Sequence, residues 1–119
     1  MKKILLVEDD VFLRDLASIK LERAGFEMVT ATTIDSALQK FHECQPDLII
    51  LDIELNGEQG TEVLENVKKV KPDFPVVVFS NKDDENIKTL CMNLGAAHFF
   101  LKYETDFTQL VEKVNELLG

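Results

Sequence analysis

Leu48-Ile49-Ile50-Leu51-Asp52 is the stretch whose reading decides the fold. Four consecutive apolar residues, with β-branched Ile49 and Ile50 at their centre, suit a strand buried on both faces, entered through Gln45-Pro46-Asp47. A carboxylate at the end of such a strand falls where open parallel sheets place their chemistry, in the crevice beyond the carboxyl ends. Asn56-Gly57-Glu58-Gln59-Gly60 follows and reads as a loop. Taken alone, the stretch leaves open that Asp52 merely caps the next helix.

Upstream, Lys2 to Val7 is a short strand that runs into Glu8-Asp9-Asp10. Phe12, Leu13, Leu16, Ala17, Leu21 and Ala24 then recur at three- and four-residue spacings, the apolar face of a helix that Gly25 stops. Phe26 to Ala31 is a second strand. Ile34, Ala37, Leu38 and Phe41 mark a second helix, with Thr32 and Thr33 as cap candidates.

Downstream, Val63, Leu64, Val67 and Val70 trace a third helix, ended before Pro72. Val76 to Phe79 is a fourth buried strand that delivers Ser80 to its end. Asn81-Lys82-Asp83-Asp84 opens a fourth helix, buried through Ile87, Leu90, Cys91 and Leu94 and closed by Gly95. Ala96 to Leu101 is a fifth strand delivering Lys102. The last helix starts near Asp106, which has capping-box spacing to Gln109, and carries the stripe Phe107, Leu110, Val111, Val114, Leu117 and Leu118.

Strands alternating with helices in this way predict one (βα)5 doubly wound α/β domain over residues 1–119, with helices on both faces of a parallel sheet. All strand ends then share one edge, so Glu8, Asp9, Asp52, Ser80 and Lys102 converge there.

Composition narrows the function. The 119 residues suffice for a core without disulfides, and 13 basic against 22 acidic residues leave a net charge of −9. That balance argues against direct nucleic-acid binding, which requires a basic face. No apolar run is long enough to span a membrane and no signal peptide opens the chain, so a cytoplasmic protein is expected. Cys44, Cys91, His42 and His98 have no metal-ligand spacing, which makes both thiols packed, reduced residues.

The converging residues suit phosphoryl chemistry. Carboxylates close together raise one another's pKa and destabilise the site unless a cation offsets them. An oxygen-only donor set with an open side suits Mg²⁺, which keeps waters and leaves room for a phosphoryl oxygen. A lysine can engage a carboxylate or a phosphoryl oxygen, Ser80 offers a hydroxyl, and the Asn81 backbone N–H lies beside it. A carboxylate nucleophile completes the set.

Val7-Glu8-Asp9-Asp10, Leu51-Asp52, Ser80 and Lys102 together resemble the signature of the receiver domain of bacterial two-component response regulators, and the resemblance runs from Lys2 to Leu118. It implies a flavodoxin-like sheet of order 2-1-3-4-5. Asp52 matches the phosphoacceptor, which takes a phosphoryl group from a phosphohistidine on a sensor histidine kinase or phosphotransfer protein. Glu8 and Asp9 match the acidic pair that binds Mg²⁺ with Asp52 and the backbone carbonyl of Glu54. Ser80, Asn81 and Lys102 match the phosphate-holding groups, and Phe99 the aromatic switch position that moves with Ser80. Asp10 reads as a helix cap or first-turn charge. Glu54 and Lys82 occupy positions that influence acyl-phosphate lifetime, and they are expected to pair across the mouth of the site.

The same resemblance implies a phosphoacceptor that assists its own phosphorylation and dephosphorylation rather than a turnover enzyme. The loop after Ser80, the fourth helix and the fifth strand would form the output face. The expected state is a monomer or weak dimer that controls an unidentified partner protein, with no output domain within these residues. Two other readings stand beside it: a degenerate receiver acting as a phosphorylation-independent binding module, and a Mg²⁺-dependent phosphohydrolase with Asp52 as transient nucleophile and Glu54 as its acid.

Three departures from the family pattern carry expectations. Asn56 stands where a proline is usual, which predicts a less rigid loop. Tyr103 stands where a proline with a cis bond is usual, which predicts a trans Lys102–Tyr103 peptide and a displaced Lys102. Asn81 is bulkier than the usual residue, which predicts narrower access to the phosphate.

Overall fold

Apolar runs that alternate sides along each strand give the sheet two buried faces, and the helices cover both. The computed structural model describes residues 1–119. The order is β1 (Lys3–Val7), α1 (Val11–Arg23), β2 (Glu27–Ala31), α2 (Ile34–Cys44), β3 (Leu48–Leu51), β4 (Glu54–Leu55) and β5 (Glu58–Gln59). Then follow α3 (Thr61–Val70), β6 (Val76–Ser80), α4 (Glu85–Asn93), β7 (His98–Leu101), a 3₁₀ turn (Lys102–Glu104) and α5 (Phe107–Leu118). The main sheet is parallel with order β2-β1-β3-β6-β7, which is the expected 2-1-3-4-5 once the small β4–β5 pair is set aside.

β3 is central, and residues Leu48 to Leu51 are fully buried. Leu5, Val7, Ile49, Leu51, Val76 and Val78 face the side covered by α2, α3 and α4. Ile4, Leu6, Leu48, Ile50 and Val77 face the other side, where Ala17 and Leu21 of α1 and Leu110 and Val114 of α5 close the core. No helix is long and apolar enough to cross a membrane.

Side-chain caps set the helix starts. Asp10 accepts from Leu13 N and so caps α1. Thr33 caps α2, Asp84 caps α4, and Asp106 forms the expected capping box with Gln109. The strand boundaries shorten slightly, because pairing begins at Glu27 and His98 rather than at Phe26 and Ala96.

Burial departs from the sequence reading at three helix positions. Phe12 is 80% exposed, Val70 56% and Leu90 40%. Phe12 and Val70 lie at or near helix ends, and Ala24, placed on the α1 face, is the exposed C-cap. α4 buries only Cys91 fully, so Leu90 lies off its narrow contact face.

The larger departure follows Asp52. Glu54–Leu55 and Glu58–Gln59 form an antiparallel hairpin, not a plain loop. Asn56 and Gly57 are its two-residue turn, with φ of 51° and 81°. Two consecutive positive φ values match the twist of a type I′ hairpin turn, for which Asn-Gly is the preferred pair. A proline, fixed near −65°, does not fit the first of them.

Candidate active site

The carboxyl edge of the sheet gathers six of the predicted groups into one cavity of about 520 Å³. Glu8, Asp9, Asp52, Glu54, Asn81 and Lys102 line it, and Phe12 and Tyr103 stand at its side. Asp52 is only 6% exposed. It caps no helix, since α3 begins at Thr61 with Gly60 as its N-cap residue.

Each carboxylate is held by specific donors. Lys102 Nζ donates to Glu8 Oε1 at 2.5 Å and to Asp52 Oδ2 at 3.1 Å. Asp10 N donates to Glu8 Oε2 at 3.2 Å, and Glu54 N donates to Asp52 Oδ1 at 3.1 Å. Asn56 N donates to Asp9 Oδ2 at 2.9 Å. The Lys102–Tyr103 peptide is trans, as expected, because no cis bond occurs in the chain. Lys102 nevertheless reaches both buried carboxylates, contrary to the expected displacement.

The hairpin is likewise better tied than the missing proline suggests. Besides the amide bond to Asp9, Asn56 Nδ2 donates to the Thr32 carbonyl at 3.1 Å. Gly60 closes the hairpin through Gly60 N to Ile53 O at 2.5 Å. A Cβ at Gly60 would collide with the backbone carbonyl of Asp52, so only glycine allows this close approach.

Electrostatics follow from burial. Burial pushes the Glu8 carboxyl up to about 7; the Lys102 hydrogen bond opposes this, and the Asp52 charge adds to it. Burial alone would lower the Lys102 ammonium, but the hydrogen bond from Lys102 to Glu8 and the charges of Asp52 and Glu8 outweigh it and raise the net value. The lysine therefore stays charged and stands where an added cation would share its carboxylates.

Oxygens of Glu8, Asp9 and Asp52 all lie within 4.8 Å of one another. These hard, anionic donors suit Mg²⁺ in their chemistry, and the cavity beside them leaves room for its waters.

Ser80 and Phe99 stand back from the cavity. Ser80 is fully buried, and its Oγ accepts from Lys82 N at 3.0 Å. Phe99 is half-buried and packs on the α4 side of the sheet. Asn81 lines the cavity itself. Lys82 Nζ lies 3.4 Å from Glu54 Oε1, both side chains about half exposed.

Sequence reasoning missed some supporting contacts. Arg14 Nη1 donates to the Glu8 carbonyl at 3.1 Å, and Tyr103 Oη donates to Asp83 Oδ2 at 3.0 Å. Neither pair has a spacing signal, because each joins different elements. The hairpin did have one, the Asn56-Gly57 dipeptide itself. The thiols read as expected: Cys91 is buried and free, with burial pushing it up to about 11, and Cys44 is free and half-buried.

A doubly wound sheet with a buried, lysine-bridged acidic pocket at the end of its central strand places that pocket where open parallel sheets carry their sites, on a flavodoxin-like fold. The chain matches the response regulator receiver domain family over residues 4–115 and belongs to it. It is 38% identical over 101 residues to the alkaline phosphatase synthesis transcriptional regulatory protein PhoP of Bacillus subtilis. That match covers 85% of this chain and 42% of the relative, so the chain spans about two fifths of the relative's length. Among solved structures, a CheY-like response regulator receiver domain protein from Methanospirillum hungatei superposes with a TM-score of 0.93 at 30% identity, covering 99% of this chain and 94% of that one. The receiver domain of NtrX from Brucella abortus gives 0.89 at 33% identity, with 97% of each chain covered. The molecule is thus a receiver domain of the two-component response regulator family.

Proposed function

We propose that Asp52 accepts a phosphoryl group from a phosphohistidine on a sensor kinase or phosphotransfer protein, and that the domain then changes its contacts with a partner protein. The observation carrying this reading is the buried Asp52 carboxylate bridged by Lys102 to Glu8, with Asp9 within metal-sharing distance. Residues 1–119 form the receiver unit of that relay.

One Asp52 oxygen attacks phosphorus, the phosphorus–nitrogen bond to the donor imidazole breaks, and its electron pair stays on the imidazole. The product is an acyl phosphate. Glu8, Asp9, Asp52 and the Glu54 backbone carbonyl would hold Mg²⁺, which would supply charge neutralisation for the phosphoryl oxygens. Lys102 turns from the carboxylates toward a phosphoryl oxygen, and the Asn81 backbone N–H and the Ser80 hydroxyl supply further donors. Because Ser80 starts buried behind the cavity wall, its engagement requires the loop after β6 to move, and Phe99 on β7 moves with it. The equilibrium shifts only by the free energy these contacts gain in the phosphorylated form.

Incubation with acetyl phosphate and Mg²⁺, read by intact mass, tests this. One phosphoryl adduct is expected, lost in Asp52→Asn and without Mg²⁺. An adduct that survives in Asp52→Asn would move the acceptor elsewhere, and no adduct with any phosphodonor would favour the phosphorylation-independent binding module.

The Glu54–Lys82 pair lies at the mouth of the site and shields the acyl phosphate from water. As an exposed pair it contributes at most about 1 kcal/mol to stability, so its effect is on access. Glu54→Ala combined with Lys82→Ala is expected to shorten the phosphate lifetime; an unchanged hydrolysis rate would remove the pair from this role.

A further inference from the structure

β6 and β7 are paired up to Ser80 and Leu101, and there the shared ladder ends. Beyond it, the two groups that must meet at one phosphoryl group depart on separate segments. Ser80 leads into the Asn81–Asp84 loop, and Leu101 leads into the 3₁₀ turn that carries Lys102. No backbone pairing holds these segments together past the strand ends. One side-chain hydrogen bond does: Tyr103 Oη donates to Asp83 Oδ2 at 3.0 Å.

The loop is also held from its other side, by Lys82 to Glu54 on the hairpin. Adjacent residues Lys82 and Asp83 therefore reach in different directions and join the extensions of β3, β6 and β7. Tyr103 lines the Asp52 cavity, whereas Asp83 lines the neighbouring cavity that includes Phe99. The bond thus links the wall of the acidic site to the segment through which Ser80 and Phe99 must move.

We propose that Tyr103 is a positioning residue for phosphoryl transfer: its hydroxyl, through Asp83, keeps the Lys102 turn and the loop after Ser80 in register so that both converge on one phosphoryl group. This rests on the reading of Asp52 as phosphoacceptor. Tyr103 itself touches no reacting atom. Without the tie, the two segments sample placements independently, and the transfer rate falls with the fraction of time both are in place.

The test measures the rate of acyl-phosphate formation from acetyl phosphate, with Mg²⁺ affinity measured separately. The variants are Tyr103→Phe, which keeps the ring, Asp83→Ala, and the two combined. Each single variant is expected to slow phosphorylation about three- to tenfold, the worth of one hydrogen bond. Mg²⁺ affinity stays within about twofold, since no metal-facing oxygen is altered. The double variant should be no slower than either single one, and Asp83→Asn, which retains an acceptor oxygen, should recover most of the rate.

A spectroscopic reading accompanies this. Tyr103 is the chain's only tyrosine and there is no tryptophan, so phenol absorbance reports on it alone. Its hydrogen bond to Asp83 raises its titration above the ordinary 10.0, and Asp83→Ala should return it toward that value. Unchanged transfer rates in Tyr103→Phe, or multiplying losses in the double variant, would overturn the positioning role while leaving Asp52 as acceptor. A wild-type protein that takes no phosphoryl group would sink the acceptor reading and this role together.

Discussion

Two sides of the acidic cavity lack the proline usual in the family, and they replace it by opposite means. On the hairpin side, Asn56 adopts a φ of 51° and binds through both its backbone and its side chain, to Asp9 and to Thr32. On the opposite side, Tyr103 sits in a 3₁₀ turn, 62% exposed, and its side chain makes one hydrogen bond, to Asp83. The first side is fixed by conformation and the second by a contact. The Tyr103–Asp83 tie can break and reform without refolding the backbone, whereas the positive φ of Asn56 cannot change without it. Stiffness thus lies beside the Glu8, Asp9 and Asp52 carboxylates, and adjustability beside Ser80 and Lys102.

The sharpest way to break the contrast is to restore the family's residue on the rigid side. Asn56→Pro forces φ near −65° and deletes the N–H that Asp9 accepts, so it should destabilise the domain by about 3 kcal/mol, seen in urea unfolding. Asn56→Gly keeps the turn and the N–H, and should cost less than about 1 kcal/mol. Equal losses in the two variants would mean that conformation does not hold this side.

A second test concerns Glu8, where Lys102 opposes burial without cancelling it. In the metal-free protein its carboxyl titrates at about 7 when folded against an ordinary 4.5. The folded state therefore binds the extra proton between those values, and stability should fall as pH rises from about 4.5 to about 7. Glu8→Gln should flatten that part of the stability–pH curve; a slope that persists in the variant would assign it to another group.

The smallest effect belongs to the adjustable side. Tyr103→Phe should leave the thermal midpoint within about 2 °C of wild type, because an exposed hydrogen bond contributes little to global stability. A larger drop would make Tyr103 a structural anchor like Asn56 and erase the distinction.

Most of the architecture is legible in the sequence because it rests on period. Leu48 to Leu51 and Val76 to Phe79 read as strands from their apolar runs, and Asp106 with Gln109 reads as a helix start from spacing alone. The convergence of Glu8, Asp9, Asp52 and Lys102 follows, since parallel strands deliver their ends to one edge. What escapes is set by contacts between elements. Phe12 fits the α1 stripe by spacing, yet it stands at the cavity rim because the helix begins one residue earlier, at the end of the covered sheet. Asn56 looks like a weakened proline site only while its φ is unknown. Tyr103 and Asp83 carry no pattern at all, since their meeting depends on where two loops settle.

Placing Asp52 after the central strand has a consequence for hydrogen exchange. β3 is flanked on both sides, by β1 and β6, and its residues are inaccessible to water. Its amides are expected to exchange only when the whole domain opens, and those of the exposed Asn81–Asp84 loop sooner. Asp52 is therefore anchored at the end of a strand expected to exchange slowly, beside a loop expected to exchange faster. On the proposed reading, a signal written at Asp52 would be relayed by loop openings that recur many times between global unfolding events.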